Sequence, residues 1–119
     1  MDEVKFEELC KQIFAINEKI RFVGIVENNK FFYKMREGIN SYLSKKQTEE
    51  SLLGALKRWE IRDEFKEEIG DAFYAMAMYE QTKRFTMKMG KGLLCISTEI
   101  DVDNDEIVMK VLNETSKVL

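Results

Sequence analysis

The chain has 119 residues, with 19 basic and 22 acidic side chains for a net charge of −3, and 45 % of it is hydrophobic against 34 % charged. That describes one globular domain, residues 1–119, rather than a disordered segment, and its mild, dispersed acidity argues against nucleic acid as a partner. Histidine is absent, which excludes imidazole triads, His-ligated zinc and imidazole proton shuttles.

From Asp2 to Asn17, Phe6, Leu9, Cys10, Ile13 and Phe14 recur at helical spacing and leave Glu3, Glu7, Glu8 and Lys11 on the opposite face, the pattern of an amphipathic helix. Ile20 to Glu27 is apolar in both phases, as expected of a strand covered on both faces. Asn28-Asn29 then marks a tight turn into a return strand, Lys30 to Met35, because Asn tolerates positive φ. Ser44 with Gln47 forms a capping-box signature, with Thr48 a rival start, and a helical region runs from there to Ile69, stopped by Gly70. Leu52, Leu53, Leu56 and Trp59 fall within roughly 120° of one another on a helical wheel, whereas Ile61, Phe65 and Ile69 fall nearly opposite. One straight helix cannot bury both sets on one surface, so a break is expected between Glu60 and Asp63.

After Gly70 the period becomes two. Asp71 to Gln81 and Lys83 to Met89 read as paired strands, with Phe85, Met87 and Met89 facing in and Arg84, Thr86 and Lys88 facing out. Gly90-Lys91-Gly92 turns into a third strand, Leu93 to Ile100. A last helix begins near Asn104, capped by Asp103 with Glu106, and buries Ile107, Val108, Val111, Leu112, Thr115 and Val118. The order α-ββ-α(α)-βββ-α gives an α+β protein, most simply one antiparallel sheet with helices on its faces.

That order resembles the profilin-like folds, above all roadblock-type domains; PAS sensor domains resemble only its middle. Lys19-Ile20-Arg21-Phe22-Val23-Gly24, Met35-Arg36-Glu37-Gly38, Arg58-Trp59-Glu60-Ile61-Arg62 and Ser97-Thr98-Glu99-Ile100-Asp101 are similar to a family of small proteins from ammonia-oxidising archaea. Phe32-Tyr33-Lys34 departs from the small residues that precede the Met-Arg-Glu-Gly motif in that family. The roadblock resemblance implies a five-stranded antiparallel sheet of order 2-1-5-4-3, pairing of the third strand with a second copy across a two-fold axis, long helices packed alongside, and a small Ras-like GTPase or other signalling protein as partner. The third strand would then place Phe73, Tyr74, Ala75, Met76, Ala77, Met78 and Tyr79 in a homodimer interface. Its composition agrees, since this stretch holds no charge and no proline and would template aggregation as an open edge. A helix or loop shielding the edge in a monomer is the alternative.

Two other groups are candidate partner-binding residues. Arg36-Glu37 beside Gly38 could contact an anion or a protein, or form an internal ion pair. Arg58, Trp59 and Arg62 share a helical face and are residue types favoured at interfaces; the alternative is a core tryptophan flanked by solvated arginines. The run Asp101 to Asp105 starts like a calcium loop, but Glu106 and Leu112 replace the glycine and glutamate that such a loop requires. Cys10 and Cys95 form no C-x-x-C pair and have no cationic neighbour in sequence, so reduced, buried, inert thiols are expected. The acidic start Met1-Asp2-Glu3 is unlike a secretory leader, and the apolar run from Ala72 to Tyr79 falls far short of the ~20 residues of a membrane span. No metal, cofactor or catalysis is expected. The reading is a cytoplasmic, non-catalytic interaction or regulatory module. A small-molecule sensor with a pocket between the sheet and the crossover helix, in the manner of PAS domains, is the alternative, and Met76, Met78, Met87 and Met89 would fill or line that space.

Overall fold

A computed structural model describes residues 1–118, with side chains through Lys117; the expected burial of Val118 lies outside the described side chains. The elements are α1 (Glu3–Phe14), β1 (Ile20–Glu27), β2 (Lys30–Met35), α2 (Lys45–Asp63), α3 (Lys66–Ile69), β3 (Ala75–Met78), β4 (Lys83–Met89), β5 (Gly92–Thr98) and α4 (Asn104–Val118). The strands form one antiparallel sheet in the order β2-β1-β5-β4-β3, and β2 and β3 are its free edges.

Local chemistry sets the boundaries. Asp2 caps α1 by accepting from the Lys5 N–H at 2.8 Å, Ser44 and Gln47 complete a reciprocal capping box on α2, and Asp103 accepts from the Glu106 N–H at 2.8 Å at the head of α4. Thr48, the rival start, lies inside α2 and donates back to the Ser44 carbonyl at 2.9 Å. Asn28 and Asn29 take φ of 51° and 62° to turn β1 into β2, as a two-residue hairpin requires. Gly24 in β1 has a packing reason. A Cβ there would stand 2.7 Å from the Phe22 ring and 3.3 Å from Leu52, so any larger residue would push the Phe22 ring aside and press on α2 at Leu52.

The sheet separates two apolar clusters. On one face α1 and α4 pack Phe6, Leu9, Ile13, Val108 and Val111 against Ile20, Val23, Ile25, Phe85, Met87 and Ile96. On the other, α2 packs Leu52, Ala55 and Trp59 against Phe22, Val26, Leu93 and Cys95. Helices thus cover both faces, and β1 is buried on both, as its apolar residues in both phases require; Arg21, the one charged residue among Ile20–Val26, is paired with Glu99.

Two boundaries differ from expectation. The helical break falls at Glu64–Phe65, just beyond the interval that the shift of apolar phase indicated. Ile61, Phe65 and Ile69 do not bury against a second surface; they are 56 %, 52 % and 85 % exposed. The strand expected over Asp71 to Gln81 shrinks to Ala75–Met78, so Phe73 and Tyr74 precede it and Tyr79 follows it. Apolarity at Tyr74 serves packing instead: its ring lies 6.3 Å from Phe85, and its hydroxyl donates to Asp105 at 2.5 Å.

Cys10 is buried in the α1 face of the core and Cys95 under α2, both as free thiols. Burial pushes the Cys10 thiol up from 9.0 to about 12, with Glu7 adding to the rise. The folded state favours the neutral thiol, so this stabilisation is complete below pH 9 and declines as pH climbs from 9 towards 12. Thermal unfolding at stepped pH should show a steeper alkaline loss in the native chain than in Cys10→Ala. Equal slopes would contradict it.

Candidate interaction surface and groove

The free edge at β3 is the centre of the surface. Ala77 is exposed and sits opposite Arg84 on β4, with Met76 opposite Phe85. Phe73, Met78 and Tyr79 are 78 %, 62 % and 56 % exposed. Tyr74 and Met76 instead pack partly on the α1–α4 core, and Ala75 packs on the α2 cluster. Beyond the edge, Arg58 and Arg62 of α2 reach the same side of the sheet, bounding with Ala75, Ala77 and Arg84 a hollow of about 80 Å³. Ile61, Phe65 and Ile69 are further exposed apolar side chains, at the C-terminal end of α2 and through α3. Their opposite phase was visible on the helical wheel; that they would face solvent in the protomer was not.

Trp59 does not belong to that surface. It is 1 % exposed, and its indole N–H donates to the Thr86 hydroxyl at 2.7 Å. Of the Arg58, Trp59 and Arg62 trio, the tryptophan is core, Arg62 stacks 5.5 Å over its ring, and Arg58 is exposed.

Arg36 is also committed internally, though not to Glu37. Its guanidinium donates to the carbonyls of Ile20 at 2.7 Å, Phe14 at 2.7 Å and Asn17 at 2.8 Å, and it lies 4.9 Å from the Phe14 ring centre. Glu37 stays exposed. The arginine closes the α1–β1 connection onto the end of β2. Arg36→Ala leaves three carbonyls without their charged donor and should lower stability by about 3 kcal/mol in urea unfolding. A loss below about 1 kcal/mol would show that the brace contributes little.

The motifs Lys19–Gly24, Met35–Gly38 and Ser97–Asp101 meet at this same end of the sheet. Lys19 pairs with Asp101 at 2.6 Å and holds that carboxyl below its ordinary range. Arg21 pairs with Glu99 at 2.9 Å and donates to the Asn40 carbonyl at 3.2 Å. In the acidic run that follows, Asp103 caps α4, Asn104 accepts from Lys83 at 2.7 Å and Asp105 accepts from Tyr74. These side chains hold the β5–α4 connection rather than converging on one point.

Beneath Leu52, Ala55 and Trp59 the space is filled by Phe22, Val26, Leu93 and Cys95. The methionines of β4 and β3 lie elsewhere: Met87 and Met89 are in the core on the opposite face, with Met76 packed partly against it, and Met78 is exposed. A groove of about 610 Å³ does open at the N-terminal end of α2, bounded by the 41–43 segment, Phe22, Tyr79 and Arg84. No group of acidic and cysteine side chains suited to a metal is present among the described residues, and no described helix is long and apolar enough to cross a membrane.

No protein-family model and no curated protein matches this sequence. Solved structures do match its fold. The gliding protein MglB from Thermus thermophilus superposes with a TM-score of 0.74 at 8 % identity, over 97 % of this chain and 86 % of that one. A roadblock/LC7 domain from Streptomyces avermitilis gives 0.69 at 11 %, over 93 % and 92 %. An MglB solved in a tetrameric arrangement gives 0.65 at 8 %, over 100 % and 96 %. The chain therefore has the roadblock/LC7 fold, with the 2-1-5-4-3 sheet order that the resemblance to roadblock domains implied.

Proposed function

We propose that this chain is a non-catalytic interaction module that works as a homodimer, scaffolding or regulating a protein partner, with a Ras-like small GTPase as the partner class. The observation that carries the reading is the β3 edge. It is open and uncharged, and exposed Phe73, Ala77, Met78 and Tyr79 flank it. An exposed apolar edge of this kind is a ready template for pairing with another strand. A second copy of the same strand, related by a two-fold axis, satisfies every outward N–H and C=O with one self-complementary surface.

Two further observations support the reading. Arg58 and Arg62 stand beside the edge on α2, so pairing would bring two sets of arginines onto one platform, where guanidinium groups suit partner recognition. The solved neighbours include an MglB in a tetrameric arrangement, which supports assembly as a property of the fold. Glu37 is assigned to the partner surface as an exposed carboxylate at the end of β2, where Arg36 braces the chain from within, and Trp59 anchors the helix that carries Arg58 and Arg62. A cytoplasmic setting and kinship with the small proteins of ammonia-oxidising archaea complete the proposal, the latter resting on the Met35–Gly38 and Ser97–Asp101 motifs.

Native mass spectrometry of the purified chain tests this reading. Twice the 14.0 kDa chain mass is expected. A monomer over the whole micromolar range would overturn the dimer, and with it the shared platform.

A further inference from the structure

The groove at the head of α2 has a feature that interaction alone does not use. Its volume, about 610 Å³, lies within the ~300–1,000 Å³ range of small-molecule sites. Phe22, Met35, Tyr42 and Tyr79 give it apolar walls, Tyr79 being the wall shared with the pairing edge. Arg84 also lines it, half-buried on β4.

Among the described residues no carboxylate pairs with Arg84; its guanidinium lies 5.8 Å from the Phe22 ring centre and gives one weak hydrogen bond, to Cys95 Sγ at 3.3 Å. The neighbouring cations are provided for. Arg21 has the Glu99 carboxylate and the Asn40 carbonyl, and Lys83 has the Val102 carbonyl and the Asn104 side chain. A guanidinium carries five donors in a planar fork. Half-buried beside aromatic walls and with no carboxylate bonded to it, the one carboxylate among the described lining residues being Glu50, which has Lys46 at 4.0 Å, it interacts strongly with an anion that reaches it and can bond it in two-pronged fashion. Ser97, paired with Arg84 across the β4–β5 ladder, adds a hydroxyl to the same wall, whereas the Thr82 hydroxyl there already donates to the Thr98 carbonyl at 2.6 Å.

We propose that the groove binds a small organic anion, its flat apolar body against Phe22 and Tyr79 and its carboxylate or sulfonate on Arg84. All the lining atoms named belong to one protomer and only Tyr79 is shared with the pairing edge, so titration at chain concentrations above and below dimer dissociation distinguishes failure of this inference from failure of the dimer.

The probe is 8-anilinonaphthalene-1-sulfonate, with the uncharged N-phenyl-1-naphthylamine as a control that keeps nearly the same body. Fluorescence titration of the native chain should give one saturable site, with the sulfonate binding about tenfold tighter than the neutral probe. Arg84→Gln should erase that difference while leaving the neutral probe's affinity unchanged, and Ser97→Phe should abolish both by filling the groove. Equal affinities on the native chain, which need no variant, would overturn the proposal. So would absence of saturable binding, or sulfonate affinity unaltered in Arg84→Gln.

Discussion

A chain carrying Ala77→Lys should run at the 14.0 kDa monomer mass under conditions where the native chain runs as a dimer. Ala77 is the third of four residues in β3, exposed on the sheet edge and uncharged. In a two-fold antiparallel pair of β3 strands, a residue near the axis meets its own copy. Lysine there would place two ammonium groups together beside Arg84 on the neighbouring strand, and desolvating like charges without a partner costs several kcal/mol. Weakening of the dimer by a factor on the order of one hundred or more follows. The protomer itself should be almost unaffected, since an exposed substitution typically shifts folding by about 0.5 kcal/mol or less. Sedimentation of the variant beside Met109→Lys, a change on the exposed face of α4, separates pairing from general charge. Loss of mass in both, or in neither, would contradict the placement of the interface at β3.

The largest expected effect on folding belongs to Trp59→Ala, about 4 kcal/mol in urea unfolding. Trp59 is fully buried between α2 and the sheet and touches the cluster of Phe22, Leu93 and Cys95. Truncation opens a cavity the size of an indole and leaves the Thr86 hydroxyl without its donor. Trp59→Phe should recover about half of the loss, because the ring volume returns but the hydrogen bond does not. If Trp59→Ala lost less than about 1 kcal/mol, α2 would not be anchored as described, and Arg58 and Arg62 would have no rigid base.

Much of the fold was readable because its signals are local. The Ile20–Val26 stretch, apolar in both phases apart from Arg21, the Asn28-Asn29 turn and the Ser44–Gln47 cap each specify one element without reference to the rest of the chain. Strand order was not local. The 2-1-5-4-3 arrangement came from resemblance to roadblock domains, since periodicity says which face a residue occupies and not which strand lies beside it. β3 was drawn too long for a related reason. Tyr74 is apolar because it packs on Phe85, and nothing in a run of apolar residues marks where ladder bonding stops.

The candidate site was legible only in part. Trp59 shared a helical phase with Leu52 and Leu56, and that phase was the sign of its burial, yet residue type alone made it resemble a surface anchor. Arg36 sends its bonds to carbonyls of Phe14, Asn17 and Ile20, contacts that leave no trace in any sequence pattern. The groove at Arg84 is drawn from separate segments of the chain, so it exists only once the sheet is assembled. The arginines beside the edge, by contrast, were visible as Arg58 and Arg62 one helical turn apart.

Amide hydrogen exchange at Met76 and Met78 tests the pairing of β3 most directly, because alternate β3 amides already bond within the protomer, as Tyr79 does to the Thr82 carbonyl at 2.8 Å, and only the outward ones read the open edge. In the native chain at high micromolar concentration these two amides should be protected, and dilution or Ala77→Lys should release them while protection of β4 and β5 stays unchanged. Rapid exchange of both at every concentration, in a chain shown to be dimeric, would place the interface elsewhere.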